Sequence, residues 1–174
     1  MRVTPARVAD EHEWVRERAP VVVALINDTR DALGDVFETE VAHVDREQYR
    51  EHVDRVFADG DLAVNVAALV ALLRDIDVED DYPGFVVDEL LGRELAGMIA
   101  GNQPLRLLGE ATFHYADVHT HPDEPPDQSV DAAGLDDHDT AGLDDLDAAL
   151  AAGFQTRIPG WTWREGESPF AVED

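Results

Sequence analysis

The chain contains no cysteine and no lysine. The first absence excludes disulfides, thiolate nucleophiles and every zinc or iron–sulfur site built on sulfur, so a metal would have to be held by His, Asp or Glu. The second removes Schiff-base chemistry and the lysine that grips phosphate in a P-loop. Gly-rich phosphate loops, a nucleophile elbow and a helix-turn-helix with a basic recognition helix are missing as well. All 13 basic residues are Arg, and they stand against 39 acids for a formal net charge of -26. No basic stripe with interleaved aromatics occurs, so neither nucleic acid nor an anionic membrane is an expected partner. The apolar runs, Val21 to Ile26 among them, are far too short to span a bilayer or to form the core of a signal peptide. A cytoplasmic location is the expectation.

What the chain has in excess is aspartate. At low ionic strength so acidic a surface repels itself and destabilises the compact state. At about 1 M salt the Debye length falls to roughly 3 Å and that cost largely disappears. An Asp-rich, Lys-free composition therefore reads as adaptation to a salt-rich cytoplasm. It also lowers the value of acidic motifs, because abundant Asp produces partial calcium loops by composition alone. Asp137, Asp139 and Gly142 match three positions of such a loop, but Ala141 and Ala148 occupy positions that need oxygen ligands.

Apolar periodicity predicts a mostly α protein, a compact bundle of five to seven helices. Thr4 before Pro5 is a helix start, and Asp45 caps another helix carrying Tyr49, Val53 and Val56. Gly34, Gly60, Gly101 and Gly153 read as helix ends. Leu62 to Ile76 is apolar all round and reads as the central helix. Val36 to Val44 fits either helix or strand. Leu105 to His121 is read as a helix, with a helical period through Leu105, Leu108, Ala111 or Thr112, Tyr115 and Val118, although residues 111–121 would also suit a strand. The division expected is a bundle core over 1–121, an acidic Pro/Asp-rich linker over 122–137, an additional helix over 138–153 and an aromatic C-terminal arm over 154–174. The repeated Ala-Gly-Leu-Asp-Asp of 133–137 and 141–145 occurs only twice, too few for a solenoid.

Two groups of residues rise above the acidic background. On a helix, Glu110, His114, Asp117 and His121 project from one face, where carboxylate and imidazole can share a divalent metal if another helix adds ligands such as His43, His52 or Glu89. His119-Thr120-His121-Pro122, followed by Ser129 and Asp131, resembles the signature of the JAMM (MPN-type) metalloproteases. That resemblance implies a metal-dependent hydrolase with His119, His121 and Asp131 as zinc ligands at a strand end. The aspartate stands one position early, and the segment before it reads as helical where the family's upstream glutamate requires strands.

The second group is the C-terminal arm, where Trp161 and Trp163 alternate beside the Pro159-Gly160 turn and Phe170 adds an apolar end. Exposed, these rings would anchor a protein partner; buried, they would fasten the tail to the bundle. The leading expectation is a non-enzymatic accessory or protein-interaction module, possible also as a homo-oligomer. The alternatives are the metal-dependent hydrolase and a bundle that binds a small ligand between helices.

Overall fold

A computed structural model describes residues 1–76, 87–120 and 141–162, and they are mostly α-helical, in a bundle without strands. The helices are α1 (Pro5–Glu17), α2 (Ala19–Phe37), α3 (Arg46–Ala58), α4 (Gly60–Asp75), α5 (Arg93–Ala100), α6 (Leu105–Thr120) and α7 (Ala141–Arg157). A π-helical turn, Val87–Gly92, leads into α5.

Local chemistry accounts for the starts. Thr4 accepts the Arg7 N–H at 3.2 Å, with Pro5 opening α1. Asp45 and Gln48 form a reciprocal capping box on α3. Asp59 ends α3 and caps α4 through the Leu62 N–H at 3.3 Å, so Gly60 begins a helix rather than closing one. Gly34 likewise lies inside α2, whose left-handed cap is Glu38 at φ 51°. There the glycine serves contact, not conformation: a β-carbon on it would lie 2.7 Å from the Thr39 carbonyl oxygen as the chain turns back. Residues 39–44, ambiguous by periodicity, form an irregular loop. Asn27 holds that loop to α2 by bonding both the N–H (2.8 Å) and the carbonyl (3.0 Å) of Val44.

The centre of the bundle is α7. It packs most extensively on α6, α5 and α2, and also on α4 and α3. Residues 148–152 are buried without interruption, along with Leu146 and Phe154. The helix passes through Gly153, where the sequence reading ends it, and stops at Arg157. The reason is steric, since a β-carbon on Gly153 would come within 2.7 Å of the Ile99 β-carbon, so glycine lets α5 and α7 approach backbone to backbone. In contrast α4, expected at the centre, keeps Val64 exposed. Even the acids of α7 are used internally: Asp147 is buried and receives the Arg18 guanidinium through both oxygens, one bond measuring 2.9 Å.

On the other side of the bundle, α1, α3 and α4 pack together. Tyr49 of α3 reaches inward, donating to the Val15 carbonyl at 3.0 Å and meeting the Phe154 ring edge-on at 5.0 Å. Burial raises its pKa above the ordinary tyrosine range. Glu11 is fully buried between Arg7 (2.6 Å) and Arg74 (2.6 Å), and Arg74 also lies over the Trp14 ring. Asp54 of α3 binds Arg16 and His12 of α1. Burial works against its charge, yet these hydrogen bonds prevail and lower its pKa.

Candidate interaction face

Two surface concavities follow from this packing. The first lies where α2 ends, over the loop at 39–42 and the turn after α7; it encloses about 620 Å³ and is lined by Asp31, Asp35 and Glu40 above the buried Arg30. The Arg30 guanidinium is directed into the protein. Its Nη2 donates to the carbonyls of Gln155 (2.8 Å) and Ile158 (2.7 Å), and Nη1 to those of Pro159 (3.2 Å) and Ala42. A cation set on the last carbonyls of α7 satisfies acceptors that the helix end leaves open and meets the negative end of its dipole. Gly160, at φ 131°, passes so close that a β-carbon would sit 2.7 Å from Nη1. Arg30 is thus a latch joining α2, the loop and the chain beyond α7.

The second concavity, about 470 Å³, lies along α6 and is lined by Leu90, Arg93, Glu94, Leu107, Glu110, Ala111 and His114. The inner side of α6 is Gly109, Phe113 and Ala116, all buried. Gly109 brings α6 against α5, where its β-carbon would meet that of Ala100 at 2.6 Å, and Gly92 leaves space for the Phe113 ring. The helical period of the sequence therefore points outward at Leu108, Ala111 and Tyr115. Leu107 is 60% exposed, Leu108 36% and Tyr115 38%, with Ala111 exposed between them and Leu90 of the π-helical turn 52% exposed beside them. Arg106 bridges Glu94 (2.6 Å) and Glu110 (3.0 Å) along the groove. The hydrogen bond to Glu94 is the main cause of a raised Arg106 pKa, so the guanidinium stays charged.

With the fold and these surfaces in view, the chain matches a family model described as a domain of unknown function, DUF7984, over residues 1–174. The chain belongs to this family. No curated protein and no solved structure matches it.

In this DUF7984 chain the residues singled out by sequence are placed as follows. Trp161 is buried, 6% exposed, and its indole N–H donates to the Gln155 carbonyl at 3.2 Å. It fastens the chain after α7 to the bundle, the second of the two alternatives its sequence position leaves open. Trp163 and Phe170 lie outside the described residues, as do His121 and Asp131. Residues 105–120 are helical, so Glu110, His114 and Asp117 share α6, and His119 lies in its final turn where the JAMM resemblance implies a strand end. Glu110 is engaged by Arg106, His114 stands beside Phe113 with ring centroids 5.7 Å apart, and His43 pairs with Asp31 at 2.7 Å. Among the described residues no three His, Asp or Glu side chains converge as a metal-holding group.

Sequence reading missed Arg30 and the outward set Leu90, Leu107, Leu108, Ala111 and Tyr115. The signal for the second was present in the periodicity of α6. Periodicity alone does not tell which side of α6 faces inward, because the close contact with α5 is made at Gly109, which carries no hydrophobic weight.

Proposed function

We propose that this chain is a non-enzymatic protein-interaction module of a salt-rich cytoplasm, and that the outward face of α6 is its working surface. The observation that carries this reading is the second apolar side of that helix. α6 already buries Gly109, Phe113 and Ala116, and still presents Leu107, Leu108 and Tyr115 to solvent. Single exposed apolar residues are ordinary, but a contiguous set rimmed by charged groups marks an interaction surface. The cost is highest in molar salt, where exposed apolar area is driven together more strongly.

An environment-sensitive apolar dye, titrated into dilute protein in molar KCl, tests the proposal. Wild type is expected to bind it, and Leu107→Glu, Leu108→Glu protein with unchanged helical circular dichroism is expected to bind at least several-fold less. Equal binding by the two would place the apolar surface elsewhere and remove the support. Stoichiometric metal that is lost in a His119→Ala, His121→Ala variant would instead favour the hydrolase alternative.

A further inference from the structure

We infer that the α6 face is closed by a second copy of this chain, docked about a two-fold axis that runs across α6 near Ala111. The inference rests on the interaction reading above and adds the identity of the partner.

Charge decides between a copy and an unrelated protein. A two-fold interface sets one patch against itself, so the patch must be self-complementary. For a chain of 39 acids and 13 Arg this is a severe condition, because most of its surface meets itself as acid against acid. The groove beside α2 fails the condition: Asp31, Asp35 and Glu40 line it, and among the described residues its only lining cation is Arg30, directed inward. The α6 groove comes closer to it: Arg93 lines it beside Glu94 and Glu110, and Arg106, bonded to both glutamates, adds a second cation at its edge. Turned about a two-fold axis, such a surface can place arginine opposite carboxylate while its leucines meet.

The charged groups are also partly pre-arranged. Arg106 is held between Glu94 and Glu110, so little side-chain freedom remains to be lost on docking. Leu107, Ala111 and Tyr115 lie on successive turns of one helix, which gives the apolar strip the shape of a helix-to-helix seam. A seam from one helix and one turn lies at the small end of specific interfaces, roughly 1,200 Å² in total. Association is accordingly expected to depend on concentration and to strengthen with salt, which screens the repulsion between two acidic bodies and reinforces apolar burial.

The absence of cysteine makes the test direct, because one introduced thiol is the only one present. Sedimentation in molar KCl across the micromolar range is expected to show a dimer for wild type and for Val64→Glu, a control at an exposed position of α4, and at least a tenfold weaker association for Leu107→Glu. Under mild oxidation Ala111→Cys is expected to form a disulfide-linked dimer, and Val64→Cys is not. A dimer unaffected by Leu107→Glu, with no linkage through Ala111→Cys, would overturn the inference by showing a different interface. A wild-type monomer at every concentration would also overturn it, and maleimide labelling of Ala111→Cys then separates the two levels. Fast labelling leaves the face open for another protein, so the interaction reading stands without the copy. Slow labelling shows the face covered within one chain, and both readings fall.

Discussion

Arg30 is fully buried in a chain whose basic residues are outnumbered three to one by acids. Burying a guanidinium is costly unless its donors are met, and here they are met by backbone carbonyls at a helix end. The planar fork allows one side chain to reach the carbonyls of Ala42, Gln155, Ile158 and Pro159 together. Arg30→Met keeps much of the volume and strands these acceptors, although Gln155 retains the Trp161 indole. With about 1–3 kcal/mol for each buried group left unsatisfied, and some recovered by water, the expected loss is about 3–5 kcal/mol. Denaturant unfolding at fixed KCl reads it, and red-shifted tryptophan emission would report loosening around Trp161. Arg30→Lys is expected to recover only part of the loss, because an ammonium is a point donor. Unchanged stability of Arg30→Met would mean that the latch is decorative.

At the scale of elements, glycine carries information that composition hides. Gly60 and Gly153 look alike in sequence, each at the edge of an apolar stretch. In the fold, a β-carbon at Gly60 would meet nothing within 4 Å, while one at Gly153 would meet the Ile99 β-carbon at 2.7 Å and the Ala96 carbonyl oxygen at 3.0 Å. Alanine has a helix propensity advantage of about 1 kcal/mol at either site. At Gly60 that gain is unopposed, and Gly60→Ala is expected to be neutral or stabilising by up to about 1 kcal/mol. At Gly153 neither backbone nor β-carbon can withdraw, so α5 and α7 must separate, and Gly153→Ala is expected to destabilise by about 1–3 kcal/mol. Thermal unfolding of the pair checks the sign; a stabilised Gly153→Ala would show that the contact between the two helices is slack.

The same distinction explains how far the fold was legible. Starts were readable, because Thr4, Asp45 and their caps act within a few residues of themselves. The mostly helical class was readable from the spacing of Tyr49, Val53 and Val56 or of Val66 and Val70. The rank of the helices was not. α7 consists largely of Ala and Asp, which reads as an acidic surface element, and only tertiary contact shows that Asp147 is committed to Arg18 and that its alanines permit close packing. In α6 the periodic residues Leu108 and Tyr115 lie on the exposed side, while the small Gly109 and Ala116 face inward beside Phe113. Where size and burial disagree, periodicity follows size.

For the whole molecule the arginines are the scarce resource, and the fold commits several of them internally. Arg7 and Arg74 enclose Glu11, Arg18 binds Asp147, Arg16 binds Asp54, and Arg157 donates to the Ile99 carbonyl at 3.1 Å. Arg30 is buried altogether. Exposed acids such as Asp35 and Glu47 remain on a surface with few cations. Added salt acts on these two populations unequally. Half-buried pairs such as Arg74 with Glu11 are screened little, whereas repulsion between solvated carboxylates falls steeply once the Debye length drops from about 10 Å at 0.1 M to about 3 Å at 1 M. Relief of repulsion therefore outweighs the weakening of pairs, and molar salt also strengthens apolar burial. The unfolding midpoint is expected to rise continuously from dilute buffer to molar KCl, with partial unfolding at the dilute end, as followed by far-ultraviolet circular dichroism. Potassium chloride and sodium chloride should act alike, because the effect is screening of a distributed charge. A midpoint independent of salt would show that the acidic surface carries no folding cost, and the inference of a salt-rich working environment would lose its physical basis.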